Sequence, residues 1–166
     1  MAIIYKKGNV LDTTDRYIVH GCNSRKVMGA GVALAIRQKY PKAYEDYKKE
    51  LEELEDISEE SRLGKIIFSE QPDGKIIVNA ITQEFYGKEP LKYVSYDAID
   101  EAMLNLDYVL TIYSEIPFVG NVNKFLSKDI SMPKIGAGLG GGNWNVIEAI
   151  INHRLSNHNV TVWELE

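Results

Sequence analysis

The sequence predicts an α/β fold in which helices flank a mostly parallel sheet. Short β-branched runs alternate with amphipathic helical segments along the chain, and this order is typical of parallel sheets. Two of the strands each lead into a glycine-rich loop that precedes a helix. Because ligands of such sheets bind at the carboxyl ends of the strands, we expect both loops to lie at one edge and to close on one ligand.

Composition and charge narrow the class of protein. The chain has 166 residues, of which 45% are apolar, enough for one globular domain over residues 1–166. A net charge of −5 argues against a nucleic-acid partner, because proteins that bind nucleic acid through charge are normally basic. No apolar run reaches the ~18 residues of a membrane span, and the N-terminus lacks the form of a signal peptide. The single cysteine, Cys22, leaves no internal disulfide, so we expect a cytoplasmic protein.

The first strand–loop–helix unit lies near the N-terminus. Ile3–Tyr5 begins a strand that leads to a turn at Gly8–Asp12, and Tyr17–His20 is a second strand that stops at Gly21. A loop through Gly29–Gly31 follows. The next helix carries apolar side chains on one side, at Val32, Ala35, Ile36 and Tyr40.

The second unit spans residues 130–151. Residues 130–135 form a short, apolar, β-branched run, which predicts a buried strand, and residues 146–151 have helical spacing. The glycines between them are Gly136, Gly138, Gly140, Gly141 and Gly142. Free backbone N–H groups before a helix N-terminus form an anion site, so this loop is expected to hold phosphate. It matches neither the GxxxxGK[ST] loop nor a first dinucleotide-binding turn, and a flexible connector is the alternative interpretation.

Asn145 and Glu148 have the spacing of a capping box, which predicts that Asn145 caps the helix of this second unit. Asn143 is an alternative cap. The choice decides where the glycine loop ends and the helix begins.

The remaining elements lie between the two units and at the C-terminus. Pro41 either ends the first helix or opens the next, which carries an apolar stripe at Tyr44, Tyr47, Leu51 and Leu54. Residues 65–68 and 75–81 read as a hairpin around Pro72–Gly74. A helix is predicted over residues 93–108 and a last strand over 159–163. Residues 109–113 either extend that helix or form a strand, and the rest of 109–129 is left open.

Four pieces of this sequence resemble the macro domain, a module that binds ADP-ribose. They keep the family's order and spacing over most of the chain: Gly8–Val10, Ile18–Asn23, Gly29–Ala33 and Met132–Gly141. The resemblance implies a three-layer fold with a central mixed, mostly parallel sheet flanked by helices.

Further residues are similar to one branch of the family, the small single-domain ADP-ribose-1''-phosphate phosphatases. These are His20 before Gly-Cys-Asn, the helix end Arg37–Pro41, and Ile81–Gln83 near Tyr86 and Gly87. The branch implies that ADP-ribose or ADP-ribose-1''-phosphate is the ligand and that no cofactor or metal is needed.

The resemblance also implies ligand contacts. Asn9 stands where the family has an acidic residue that holds the adenine amino group, the Val10 N–H would support that base, and Trp163 would stack near it. Asn23 would bond the distal ribose. Core packing is the alternative for Trp163, and a strand-end hydrogen bond for Asn23. The implied set is Gly8, Asn9, Val10, Cys22, Asn23, Ser24, Met28, Gly29, Ala30, Gly31, Val32, Pro133, Ile135, Gly136, Ala137, Gly138, Leu139, Gly140, Gly141 and Trp163.

His20 is the candidate catalytic residue, because imidazole titrates near neutrality and can act as acid or base. A hydrogen-bonded core histidine is the equal alternative. Cys22 is expected to be a small buried residue and not a nucleophile. His153 and His158 are expected at the surface, on no shared helix face, and thus not as a metal pair.

Two departures from relatives bear on activity. Gln83 and Gly140 occupy the places where a branch that removes ADP-ribose from protein carboxylates has a lysine and an aspartate, so that route is not expected. Asn143 stands where relatives often have an acid. Two alternatives to a phosphatase therefore stay open: a non-catalytic ADP-ribose reader, and a structural domain that has lost the ligand.

Overall fold

A six-stranded sheet forms the centre of the computed structural model, which describes residues 3–54, 62–115 and 129–165. The strands are β1 (Ile4–Lys7), β2 (Tyr17–Asn23), β3 (Ile66–Glu70), β4 (Ile76–Gln83), β5 (Asp129–Pro133) and β6 (Asn159–Glu164). Their order is β1-β6-β5-β2-β4-β3, and every pairing is parallel except that of β3 with β4. The expected mixed, mostly parallel sheet is confirmed.

Helices cover both faces of this sheet. They are α1 (Gly31–Lys39), α2 (Pro41–Glu53), α3 (Tyr96–Glu115) and α4 (Trp144–Arg154). One core cluster joins the sheet to α3 and α4 through buried side chains such as Val78 and Leu106. On the other face, Ile18 and Ile77 pack against Ile36 of α1 and Ala43 of α2. The period-2 alternation of the strands thus produces the three layers.

Several predicted elements are present with longer bounds. The hairpin of β3 and β4 turns at Pro72–Gly74, as expected, and Pro41 opens α2 at its first position. The strand predicted to stop at Gly21 continues to Asn23, because its ladder with β4 continues to that residue. The extension places Asn23 at the carboxyl end of β2, where the cavity described below opens.

The long helix begins and ends later than predicted. It starts at Tyr96, not at residue 93, because the Ser95 hydroxyl oxygen accepts a hydrogen bond from the N–H of Ala98 at 3.1 Å. Val94 instead forms an isolated bridge with Gln83. Leu110, one turn past Leu106, is fully buried, so the helix continues through residues 109–113 and a strand there is ruled out. Residues 116–128 lie outside the described part of the chain.

The capping box predicted at Asn145 is wrong. Asn143 has extended backbone, and its side chain accepts a hydrogen bond from the Asn145 N–H at 2.9 Å, so α4 begins at Trp144. Glu148 is not free to complete the box, because it accepts a hydrogen bond from the Tyr5 hydroxyl. Asn143 therefore closes the glycine loop.

Two further expectations concern other parts of the molecule. Within the described ranges, no helix is long and apolar enough to cross a membrane. His153 is exposed as expected, but His158 is buried, and its Nε2 lies 2.8 Å from the Asp107 carboxylate on α3. The sequence could not reveal this partner, which lies 51 positions away.

Candidate functional site

A cavity of about 720 Å³ opens at the carboxyl ends of β2, β4 and β5. This volume falls within the range of about 300–1,000 Å³ that small-molecule sites occupy. Two loops face each other across it: the first glycine loop, residues 24–30, and the second glycine loop, residues 134–143. The parallel strand order therefore brings the two units together at one edge, as the sequence predicts.

Most of the residues implied by the resemblance line this cavity. They are Gly8, Asn9, Val10, Cys22, Asn23, Gly29, Ala30, Gly31, Val32, Pro133, Ile135, Gly136, Gly138, Leu139, Gly140 and Trp163, together with His20. The others lie behind the wall: Met28 is fully buried against Tyr47 and Leu51, and Ser24 is buried on the far side of its loop. Ala137 packs on the core, and Gly141 turns against the Leu91 carbonyl.

The second glycine loop presents unpaired backbone donors. Its turns are closed by the N–H of Gly142 bonding the Gly136 carbonyl at 2.7 Å and by the N–H of Gly141 bonding the Gly138 carbonyl at 3.1 Å. Gly136 and Gly141 have φ of 74° and 73°, in the left-handed region that favours glycine. Within the described residues, the N–H groups of positions 138–140 donate to no protein acceptor.

The N-terminus of α1 supplies a second set of donors from the opposite wall. Its N-cap, Ala30, makes no side-chain capping bond, so the N–H groups of Gly31, Val32 and Ala33 have no cap. All three residues line the cavity. The positive end of the helix dipole lies at the same place, which favours an anionic ligand.

Asn23 holds the first glycine loop in shape. Its side-chain oxygen accepts a hydrogen bond from the Arg25 N–H at 2.9 Å, and its amide donates to the Val27 carbonyl at 2.8 Å. The Tyr47 hydroxyl donates to the Asn23 backbone carbonyl at 2.6 Å. The Asn23 side chain, which was expected to bind a ribose, thus forms hydrogen bonds that stabilise the loop.

One end of the cavity carries the aromatic residue Trp163. Its Nε1 donates to the Ser131 hydroxyl at 3.1 Å, and its ring packs beside Gly8, where an added Cβ would lie 3.3 Å from the ring. The Asn9 side-chain oxygen accepts a hydrogen bond from the Leu11 N–H at 2.9 Å and caps a short 3₁₀ turn at Val10–Asp12. That oxygen keeps one lone pair for a ligand.

His20 lines the floor of the cavity but is only 1% exposed. Its Nε2 lies 2.6 Å from the Asn79 side-chain oxygen. Burial lowers the pKa of the imidazole to about 4, with the Asn79 bond acting in the opposite direction. The Cys22 sulfur lies 3.8 Å from Nδ1, and burial raises the pKa of this thiol, which keeps it protonated as expected of a non-nucleophile.

A third wall, residues 82–88, was not assigned from the sequence. Thr82, Gln83, Tyr86, Gly87 and Lys88 line the cavity from the end of β4. No local pattern marks it, because its place in the site depends on the parallel pairing of β4 with β2, which brings the carboxyl ends of both strands to the same edge. Other unassigned lining residues are Leu11, Gly21, Val27, Ala33, Ala35, Lys134 and Leu165.

The cavity lining contrasts with the acidic composition of the chain. Of the 24 aspartates and glutamates in the sequence, none is among the described lining residues, where Lys88 and Lys134 carry the charge. In the same described ranges, no group of three His, Cys, Asp or Glu side chains is arranged to hold a metal ion. The cavity therefore suits an anionic ligand, and Trp163 provides an aromatic surface at one end of it.

Comparisons with known proteins agree with this fold. The chain is similar to an ADP-ribose 1''-phosphate phosphatase of Candida glabrata, with 28% identity over 98% of each chain. Among solved structures it resembles the macrodomain of Thermus aquaticus DarG, with a TM-score of 0.72 and 24% identity over 99% of this chain and 97% of that one. Thermosipho africanus DarTG in complex with ADP-ribose gives a TM-score of 0.71 at 15% identity, covering 98% of this chain and 42% of that one.

A family model also matches the chain. The macro domain model matches residues 19–151, which include both glycine loops, β5 and most of β2. With this match over most of its length, the chain belongs to the macro domain family, whose members bind ADP-ribose.

Proposed function

We propose that this macro domain, spanning residues 1–166, binds ADP-ribose and hydrolyses the terminal phosphate of ADP-ribose-1''-phosphate to give ADP-ribose and phosphate. The relative from Candida glabrata is named for that activity, and the similarity covers 98% of each chain. The ligand would occupy the 720 Å³ cavity at the carboxyl ends of the strands.

One observation carries the binding half of this proposal. Two sets of unpaired N–H groups, at residues 31–33 and residues 138–140, face the same cavity from opposite walls. A diphosphate needs several donors, and backbone N–H groups with a helix dipole supply them without a basic side chain. This also explains why a chain with a net charge of −5 can hold a polyanion.

The other residues that line the cavity suggest how the ligand is oriented in it. We assign the adenine to the end formed by Trp163, Val10 and Asn9, because a flat base needs an aromatic or apolar wall. The distal ribose and its phosphate then lie toward Asn23 and the third wall, beyond the ends of β2 and β4. His20 lies on β2, three residues before Asn23, and lines the same cavity.

In the proposed reaction a water molecule attacks phosphorus and gives one proton to His20, while the bond from phosphorus to the anomeric oxygen breaks. The protonated His20 then returns that proton to the leaving anomeric oxygen, so that the products are ADP-ribose and inorganic phosphate. The proposed catalytic group, His20, is neutral near pH 7, since burial lowers its pKa to about 4. Its Nε2 is held by Asn79, so any proton from water would be taken at Nδ1.

A second function, that of a reader which binds ADP-ribose without hydrolysis, is favoured by one observation. No carboxylate is found among the described lining residues, and relatives often carry an acid where this chain has Asn143. Without such a base, His20 alone would have to activate water.

Phosphorus NMR of ADP-ribose-1''-phosphate with added protein separates the two functions. Shifted diphosphate signals with growing inorganic phosphate support the phosphatase, and the same shifts without free phosphate over hours support the reader. Unchanged signals contradict both. His20→Ala and Val19→Ala serve as a matched pair, because both remove a buried side chain from β2 and Val19 does not line the cavity. Only the His20 variant should lose phosphate release while keeping the diphosphate shifts; an unchanged rate would contradict its assignment.

A further inference from the structure

The third wall is tied to the first glycine loop. The Ser24 N–H bonds the Gln83 carbonyl at 3.0 Å, and the Ser24 hydroxyl donates to the Glu84 carbonyl at 3.3 Å. The Arg25 guanidinium lies 3.5 Å from the Glu84 carboxylate and stacks 4.3 Å from the centre of the Phe85 ring. These bonds explain why Ser24 faces away from the cavity, since it links the first glycine loop to the third wall by hydrogen bonds.

The same wall is tied to the second glycine loop. The N–H groups of Tyr93 and Val94 both bond the Gly140 carbonyl, at 2.7 and 3.0 Å. Gly87 packs directly against the Tyr93 hydroxyl and has no room for a Cβ. The segment that carries Tyr86 and Lys88 is therefore held on one side by the first glycine loop, which leads into α1, and on the other by the second glycine loop.

Charge within the cavity is distributed unevenly between its two ends. Lys134 lies near Trp163 and is neutralised by Glu164, whose carboxylate is 2.6 Å from its Nζ. Lys88 lies on the opposite side, and within the described residues it has no ion-pair partner. Close to the same end, the Thr82 hydroxyl is fully buried and has no hydrogen-bond partner in the described part of the chain.

We propose that Lys88 binds the terminal phosphate of the ligand and so distinguishes the phosphorylated substrate from ADP-ribose. This inference rests on the proposed function, which sets the distal end of the ligand at the third wall. The diphosphate is already served by backbone donors, so an ammonium group is needed only where a second, more highly charged phosphate lies. Because the nucleotide product, ADP-ribose, lacks that phosphate, the contact favours binding of the substrate over binding of ADP-ribose.

The test compares two ligands and three proteins. Affinities for ADP-ribose and ADP-ribose-1''-phosphate are measured by stopped-flow competition against a fluorescent ADP-ribose, before phosphate is released. Lys88→Ala should lower the affinity for ADP-ribose-1''-phosphate roughly tenfold, as expected for loss of a charge-assisted hydrogen bond. The same variant should change the affinity for ADP-ribose by less than about twofold. Lys92→Ala is the matched control: it removes the same charge a few residues away, where Lys92 stacks 4.4 Å from the Tyr96 ring and does not line the cavity.

The outcomes separate this inference from the proposed function. Equal loss for both ligands in Lys88→Ala, no loss for either, or the same loss in Lys92→Ala would each overturn the assignment of Lys88 while the ADP-ribose site stands. A wild-type protein that binds neither ligand would overturn the proposed function and the assignment together.

Discussion

The imidazole of His20 and the side-chain amide of Asn79 are bonded across neighbouring strands, with 2.6 Å between Nε2 and Oδ1. The two residues are direct register partners in β2 and β4. Asn79 is fixed in turn, because its amide donates to the Ala43 carbonyl of α2 at 3.3 Å. The oxygen of Asn79 requires a donor, so His20 carries its proton on Nε2 and leaves Nδ1 as its acceptor.

This pair predicts a pH dependence of stability. Burial lowers the pKa of His20 from 6.5 to about 4, so between these values the unfolded chain binds a proton that the folded chain does not. The wild-type protein should therefore lose about 3 kcal/mol of unfolding free energy as the pH falls from about 7 to about 4, and no more below that from this residue. Urea denaturation across this range measures the loss.

His20→Gln is the control for that measurement, since its amide is polar but does not titrate. Other groups contribute equally to both proteins and cancel in the difference between their pH curves. Parallel curves for wild type and variant would contradict a buried, neutral His20.

Tryptophan fluorescence should report ligand binding through one of the two tryptophans. Trp163 lines the cavity, whereas Trp144 lies outside it with its Nε1 3.0 Å from the Tyr5 hydroxyl. Adding ADP-ribose should quench the tryptophan fluorescence of the wild-type protein and of Trp144→Phe, but not that of Trp163→Phe. Trp163→Ala should weaken binding roughly five- to tenfold through the lost stacking area. Quenching that survives in Trp163→Phe would place the adenine elsewhere.

Substitution of Gly138 should separate binding from folding. A Cβ at this position meets nothing within 4 Å, so Gly138→Glu should fold with a melting temperature within about 2 °C of wild type. Its carboxylate would stand among the unpaired N–H groups and repel the diphosphate, lowering ADP-ribose affinity by roughly thirtyfold or more. Calorimetric titration measures the change, and Gly138→Ala, which adds no charge, should bind nearly as wild type. Unchanged affinity in the Glu variant would contradict the assignment of this loop.

Local signals in the sequence were sufficient for the sheet and for both glycine loops. The β-branched run at residues 130–135 and the glycines after it lie side by side in the chain, so their pattern is visible without the fold. The partners of His20 and His158 were not visible, because Asn79 and Asp107 lie 59 and 51 positions away. Such pairs depend on strand register and helix packing, which a single sequence does not fix.

The third wall was missed for a different reason. Residues 82–88 contain no motif for phosphate, and Tyr86 and Lys88 reach the cavity only because β4 is parallel to β2 and next to it. Strand order, and not local pattern, decides which loops share an edge. Lys88 is therefore a residue that topology adds to the site.

The N-cap of α4 is Asn143 and not Asn145, and substitutions at the two positions test this assignment. Asn143 and Asn145 are the same residue type two positions apart, but only Asn143 accepts a hydrogen bond from the start of the helix, at 2.9 Å from the Asn145 N–H. Asn143→Ala should lower the free energy of unfolding by about 1 kcal/mol, and Asn145→Ala, an exposed change within the first turn, by less than about 0.5 kcal/mol. Urea denaturation of both variants measures the two values. Because Asn143 also closes the second glycine loop, its loss should weaken ADP-ribose binding as well, whereas Asn145→Ala should leave binding unchanged. A larger loss of stability in Asn145→Ala would restore the capping box and shift the start of the helix.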